Sequence, residues 1–210
     1  MGRQAHTRGI LRRAIERLRG RRQLLVRAGD NLPLLLSYPA GAIDVAREIE
    51  AAYARTLGRL SAAARAPYQP LMESAPAVVV VILHQFNPCE CLGHHHPRGA
   101  ESRLARRLAA DLGEWIGEID IAYDGIRKWE PEPLSSLAVG DLGGRLPAIH
   151  FQAGVLAVLL HELEHLVFPE RTEQEIRIRS NRFYSAAMRD LIAEETGDTY
   201  GMASPLPPRP

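Results

Sequence analysis

The segment from Ala153 to Phe168, AGVLAVLLHELEHLVF, constrains the fold more than any other part of the chain. Its first half is apolar on almost every side of a helix, and such a helix is stable only when other elements surround it. The chain has 210 residues, which is long enough for a compact domain with a core of this kind. The sequence therefore predicts a buried central helix over residues 153–168.

The same helix carries the pattern H-E-x-x-H at His161, Glu162 and His165. Two imidazoles four residues apart project from one face of a helix and can bind a single ion, for which zinc is well suited. Glu162 is rotated by about 100° from His161 and lies beside such an ion, where a general base is needed. Chance produces this pattern in roughly 2% of such chains. Because unpaired polar groups on a buried helix are costly, we interpret these residues as a metal site.

At these residues the sequence resembles the zincin metallopeptidases, whose H-E-x-x-H helix supplies two zinc ligands and a catalytic glutamate. The resemblance covers about residues 155–185. It implies an α+β fold with a zincin-like small mixed sheet over the active-site helix, and a sheet edge that binds an extended peptide. Three strand candidates precede the helix in that order, at 77–86, 118–124 and 148–151, and the second alternates polar and apolar residues like a half-exposed strand. A helix is predicted over residues 101–116, between the first two. The implied activity is zinc-dependent hydrolysis of a peptide or protein substrate by a metal-activated water.

Three known zincin spacings disagree with this sequence in the position of the third ligand. The metzincin pattern needs glycine at Phe168 and histidine at Arg171. The segment also resembles that of the SprT-type zinc proteases, which have a histidine ligand at the position of Arg171. Arginine stays protonated and cannot be a metal ligand. The commonest gluzincin spacing would place a glutamate near Ser185, and a longer connection would reach Glu194.

A short connection between two helices offers a closer carboxylate. Pro169 ends the first helix, and Thr172 to Glu175 has the form of a capping box that begins a second. Glu173 shares the inward stripe of that second helix with Ile176, Ser180, Phe183 and Ala187. The sequence therefore favours Glu173 as third ligand in a short-spacer, gluzincin-like site. Glu175, Glu170 and Glu194 remain alternatives.

Other polar residues are candidates for supporting roles. A donor near the metal is needed to stabilise the charge that develops on the carbonyl oxygen, and the candidates are Tyr184, His150, Arg177 and Arg182. The segment HQFNPCECLGHHHP holds a histidine and cysteine cluster, with members His84, Cys89, Cys91, His94, His95 and His96. Its spacing is not that of a common structural zinc site. A second zinc site, a loop beside the active cleft and an ordinary exposed loop all remain open for it.

The N-terminal part of the chain predicts helices. Residues 8–28 form a basic amphipathic pattern, and a second helix is predicted from Pro39 to about residue 64. Prolines break the pattern between residues 66 and 76. The predicted organisation is a helical N-terminal region over 1–70, a zincin-like domain over 71–204 and a proline-rich tail over 205–210.

Composition narrows the remaining function classes. The net charge of +1 predicts no general attraction to nucleic acid or membrane. Cys89 and Cys91 are too close for an unstrained bridge in most conformations, so reduced thiols and a cytoplasmic location are expected. No secretory signal or membrane span is predicted. Two alternatives to the enzyme are a catalytically inactive metal-binding regulatory protein and a nucleic-acid-associated protein that uses the arginine-rich N-terminal helix.

Overall fold

The computed structural model describes residues 21–27, 32–59, 76–87, 91–129 and 143–197. Within these residues the chain forms an open sheet of five strands and five α-helices. The strands are β1 (Arg22–Val26), β2 (Leu34–Tyr38), β3 (Val78–His84), β4 (Gly93–His95) and β5 (Ile116–Ala122). The helices are α1 (Ile43–Arg59), α2 (Arg103–Leu112), α3 (Tyr123–Lys128), α4 (Leu146–Val167) and α5 (Glu173–Thr196). The prediction of a mixed α+β fold is confirmed at this level.

The strands follow the order β1-β2-β3-β5-β4 across the sheet. The central strands β2, β3 and β5 are parallel, and the outer strands β1 and β4 are each antiparallel to their neighbour. Parallel strands are usually covered on both faces, and here Val78 to Val81 of β3 are all buried. β4 therefore lies at one edge of the sheet, beside β5.

The two faces of the sheet are covered by different helices. Val79, Val81 and Leu83 of β3 pack in the larger core cluster, with apolar residues of α1, α4 and α5. Val78 and Val80 point to the other face, where Ala105 and Leu108 of α2 cover them. Alternation along the strands thus sends odd-numbered β3 residues towards α4 and even-numbered ones towards α2.

The central helix is longer than predicted, and one strand prediction is wrong. α4 begins at Leu146 rather than near Ala153, after a short 3-10 turn at Gly143–Arg145. Residues 148–151, predicted as a strand, lie in the first two turns of this helix, where Ile149 and Phe151 are buried. α4 has the length and composition of a membrane span, but 67% of that stretch is buried inside the protein.

The strand predictions in the middle of the chain hold with one difference in burial. β3 lies within the predicted range 77–86, and α2 lies within the predicted helix over 101–116. β5 covers most of 118–124 but is buried rather than half-exposed. Glu118 is fully buried there, and its carboxylate accepts hydrogen bonds from the backbone N–H and the hydroxyl of Ser102. Because these donors replace water, the polar residue is tolerated inside.

The prediction of an all-helical N-terminal region is wrong for residues 22–38. Residues 22–26 form β1 instead of the end of a helix, because Leu24 and Leu25 pair with Leu36 and Leu35 of β2. β2 was not predicted, although all five of its residues are buried. Both strands belong to the same sheet as β3, so the predicted boundary at residue 70 separates elements of one sheet. Residues 1–20, 60–75 and 198–210, which hold most of the predicted basic helix and all of the predicted tail, lie outside the described residues.

The helix predicted from Pro39 is confirmed over its described length. A 3-10 turn at Ala40–Ala42 leads into α1, and the side chains of Val45, Ile49 and Tyr53 are buried along one stripe as the spacing predicts. Burial of such a stripe is what stabilises a surface helix. α1 therefore packs on the same side of the sheet as α4.

Candidate metal centre

Three predicted ligand groups lie together at the junction of α4 and α5. His161 and His165 are one turn apart on α4, and their Nε2 atoms are 3.3 Å from each other. The carboxylate of Glu173 lies beside both, with Oε2 3.0 Å from His165 Nε2 and Oε1 3.5 Å from His161 Nε2. Within the described part of the chain, this is the one group of three or more histidine, cysteine or acidic residues arranged closely enough to hold a metal ion.

The spacing of these atoms fits a tetrahedral ion. Ligand atoms about 2.1 Å from zinc at tetrahedral angles lie about 3.4 Å from one another. The two imidazole nitrogens are 3.3 Å apart, and they lie 3.0 and 3.5 Å from the two oxygens of the Glu173 carboxylate, so all three separations fall around that value. The donor set of two imidazoles and one carboxylate is also one that zinc accepts with a fourth position open. The residues present therefore fit a zinc ion.

A helix cap explains why Glu173 and not Glu175 reaches the histidines. Thr172 is the N-cap of α5 and accepts a hydrogen bond from the backbone N–H of Glu175. The Glu175 carboxylate in turn accepts the backbone N–H of Thr172 at 2.9 Å. The hydrogen bonds that this carboxylate accepts from Thr172, first from its backbone N–H and then from its hydroxyl, lower the pKa of Glu175. The predicted capping box is thus confirmed, and it holds the Glu175 carboxylate away from the metal ligands.

The other alternative carboxylates do not join the group. Glu170 is exposed in the turn between α4 and α5 and is not among the clustered residues. Glu194 follows Glu173 by about six helical turns, which places it about 30 Å further along α5. The three side chains that the structure brings together are therefore the ones that the sequence favoured, and their role as metal ligands stays a prediction.

A buried ion pair holds the two helices at this distance. Glu164, between the two ligand histidines, has only 1% of its side chain exposed. Its carboxylate accepts a hydrogen bond from Arg171 in the turn at 3.0 Å and two from Arg179 Nε of α5 at 2.8 and 2.9 Å. Buried carboxylates need such partners. Arg171 stands at the position where the SprT-type zinc proteases have a histidine ligand. Here it helps to hold α4 and α5 together through Glu164, a role that the motif alone did not predict.

Glu162 lies between α4 and the edge strand β4. It is 8% exposed, and its Oε2 is 3.1 Å from Nδ1 of His95. The His95 ring also stacks on that of His165, with centroids 4.9 Å apart and planes inclined by 16°. His95 therefore contacts both the candidate base and a ligand. The sequence assigned His95 to the histidine and cysteine cluster without a defined role, because its contacts depend on the pairing of β4 with β5.

The close approach of β4 to α4 requires glycine at position 93. A Cβ atom at Gly93 would lie 2.5 Å from Val158 Cγ1 and 2.8 Å from Glu162 Cγ. Both distances are shorter than any normal contact, so a side chain there would push the strand away from the helix. Gly93 thus allows the sheet edge to lie directly against the candidate catalytic carboxylate.

An open cleft of about 610 Å³ reaches these residues. Its sides come from β4, α4 and α5, and its lining includes all three ligands and Glu162. Apolar side chains line it at Leu92, Trp129, Ala157 and Val158, and polar ones at Arg177 and Asn181. This volume lies in the range of ligand-binding sites. The candidate metal centre is therefore accessible rather than enclosed.

Within the described residues, no further strand pairs with the outer edge of β4, and this edge borders the cleft. Leu92 O accepts a hydrogen bond from Ala122 of β5, and His96 N donates one to Glu118 of the same strand. Because antiparallel strands alternate the direction of their backbone groups, those of Gly93 and His95 point away from β5. Backbone donors and acceptors are thus directed outward beside Glu162.

Of the four predicted oxyanion donors, Arg177 alone lines the cleft. His150 Nε2 faces the carbonyl of Ile126 at 3.2 Å and must donate to it, so its Nδ1 accepts the hydroxyl of Tyr184 at 2.7 Å. Tyr184 is 5% exposed, and this burial raises its pKa to about 12. Arg182 is exposed on α5 and does not line the cleft. The His150–Tyr184 pair therefore serves packing beneath the cleft.

The histidine and cysteine cluster divides between the two faces of the sheet. His95 points to α4, whereas His84 and His96 lie on the opposite side, 3.5 and 3.1 Å from the two oxygens of Asp120. Cys91, His94 and His95 line the cleft, which confirms that part of the cluster borders it. Cys91 is disulfide-bonded, so the expectation of reduced thiols is wrong there; Cys89, the other cysteine, lies outside the described residues. The cytoplasmic location stays a prediction.

Comparison with protein family models, curated proteins and solved structures finds no match for this chain.

Proposed function

We propose that the protein is a zinc-dependent metallopeptidase of the zincin type. The observation that carries this proposal is the separation of 3.0 to 3.5 Å among His161 Nε2, His165 Nε2 and the Glu173 carboxylate oxygens. These three groups stand beside a fourth polar residue, Glu162, in an open cleft. A structural zinc site is usually closed by four protein ligands, so the open cleft favours catalysis over a purely structural or regulatory metal.

In this proposal His161, His165 and Glu173 hold Zn²⁺. The ion supplies Lewis acidity, which activates a water and polarises the substrate carbonyl. Glu162 accepts the proton of the attacking water, and His95 holds one of its carboxylate oxygens, leaving the other free for that proton. Arg177 is the candidate donor to the developing oxyanion.

The edge of the sheet supports a peptide as substrate. An extended chain can add to a free strand edge through main-chain hydrogen bonds, and the outward backbone groups of Gly93 and His95 offer them. Because Gly93 lies against Glu162, a peptide bound there would pass close to the metal ligands. This arrangement of sheet edge over ligand helix is the one that the zincin resemblance implies.

The test compares wild-type protein with Glu162→Gln and His161→Ala. Each is loaded with zinc, its metal content is measured by elemental analysis, and it is incubated with a library of random-sequence peptides whose cleavage is followed by mass spectrometry. Wild type binds zinc and cleaves; Glu162→Gln binds zinc but does not cleave; His161→Ala does neither. Cleavage by Glu162→Gln would overturn the mechanism, and an untouched library with zinc-loaded wild type would overturn the peptidase assignment.

The nucleic-acid alternative depends on the basic pattern over residues 8–28, most of which lies outside the described residues. It therefore stays a prediction from the sequence.

A further inference from the structure

Ser180 is a buried polar residue on the side of α5 that faces the ligand helix. It is 7% exposed and lies on the inward stripe with Ile176 and Phe183, which are also buried. Its hydroxyl lines the cleft beside His161. A buried hydroxyl needs hydrogen-bond partners, and those of Ser180 are the backbone carbonyl of Arg177 and the imidazole of His161.

The hydrogen bonds of Ser180 have a defined direction. Ser180 Oγ lies 3.1 Å from the carbonyl oxygen of Arg177, which can only accept, so the hydroxyl proton points there. Ser180 Oγ also lies 3.3 Å from Nδ1 of His161. With its one proton used, the hydroxyl can only accept at this second contact. Nδ1 of His161 must therefore carry the proton.

This direction determines the state of the metal-facing nitrogen. A neutral imidazole with its proton on Nδ1 has a lone pair on Nε2, and Nε2 of His161 is the atom that faces His165 and Glu173. Metal ligands of this kind generally depend on an outer partner that fixes tautomer and ring orientation. We propose that Ser180 is a positioning residue that holds His161 in the tautomer and orientation needed to bind the metal.

This inference rests on the proposed zinc site, and it concerns affinity rather than catalysis. Without the Ser180 oxygen, Nδ1–H of His161 would lose its acceptor, and the imidazole could turn or change tautomer. Typical losses for removing such an outer partner are about 10- to 100-fold in metal affinity. A residue that only fills space would change folding stability and leave affinity alone.

The chain offers a matched control on the same helix. Ser185 also donates its hydroxyl to a backbone carbonyl, that of Asn181 at 3.0 Å, but it is exposed and does not line the cleft. Ser180→Ala and Ser185→Ala therefore remove the same kind of helix contact, and only the first removes the acceptor for His161. Ser180→Thr keeps the hydroxyl and serves as the conservative variant.

The experiment measures zinc affinity of the full chain by competition with a chromophoric chelator, together with thermal unfolding of the metal-free proteins. Ser180→Ala binds zinc about 10- to 100-fold more weakly than wild type, while Ser180→Thr stays within about threefold and Ser185→Ala is unchanged. Unaltered affinity in Ser180→Ala, or equal losses in Ser180→Ala and Ser180→Thr, would overturn the role of Ser180.

The outcome also separates this inference from the proposed function. If wild type binds zinc no better than His161→Ala, both the metal site and the role of Ser180 are wrong. If wild type binds zinc and Ser180→Ala binds it equally well, the metal site stands and Ser180 alone is excluded as its positioning residue.

Discussion

The helical hairpin of α4 and α5 and the edge strand β4 form two sides of the same cleft, but their contacts are encoded differently. Hairpin contacts join residues that are close in sequence, such as His161 and Ser180, 19 positions apart. The contact of β4 with Glu162 joins residues 67 positions apart. Helical spacing and a short turn determine the first kind of contact, whereas the second requires knowledge of strand order and register.

The largest expected effect in the hairpin comes from Glu164→Gln. The substitution leaves Arg171 and Arg179 close together without the buried carboxylate between them. Breaking a buried ion pair costs about 3–5 kcal/mol, and we expect about 3 kcal/mol here because both arginines retain contact with water. Chemical denaturation measures this loss, with exposed Glu170→Gln as the control. A loss no larger than that of Glu170→Gln would show that the ion pair does not hold the hairpin.

A smaller effect is expected at the edge strand from Gly93→Ala. The added methyl group would lie 2.5 Å from Val158 Cγ1 and 2.8 Å from Glu162 Cγ, so the strand or these side chains must move. Overpacking of this kind costs about 1–3 kcal/mol of folding stability. Gly144→Ala is the control, because nothing lies within 4 Å of a Cβ there. Denaturation compares the two variants, and peptide cleavage falls in Gly93→Ala while zinc is retained. Full cleavage by Gly93→Ala would show that the strand need not touch Glu162.

The sequence predicted the hairpin because each of its determinants is local. The apolar helix, the histidines one turn apart, the proline that ends α4 and the cap at Thr172 are all readable from spacing and residue type. Even the choice of Glu173 over Glu175 follows from the cap, since a carboxylate bonded to the N-cap is not available to a metal. The grouping of these three side chains could therefore be predicted before the fold was known.

The parts that the sequence did not predict depend on long-range pairing. Residues 22–26 have a helical pattern, yet they form β1 because β2 offers a partner. Residues 148–151 alternate like a strand, yet they extend α4. β4 is only three residues long and lies in a cluster of histidines and cysteines, so no pattern in the sequence indicates its pairing with β5. Tertiary context overrides local preference in each case.

The role of Glu164 could have been predicted only in part. A glutamate within a buried helix requires a partner, and the arginines at positions 171, 177 and 179 are the nearest cations on the following turn and helix. Which of them reaches the carboxylate depends on the angle between α4 and α5, which spacing alone does not define.

Zinc binding by wild type, Glu173→Gln and Glu175→Gln tests the central claim most directly, because these neighbouring glutamates differ in position but not in chemistry. Isothermal titration of the metal-free proteins with zinc gives affinity and stoichiometry. We predict one zinc per chain in wild type and Glu175→Gln, and a loss of more than about 100-fold in affinity in Glu173→Gln, since even an outer partner of a ligand contributes 10- to 100-fold. Equal zinc affinity in Glu173→Gln and Glu175→Gln would contradict the proposed metal centre.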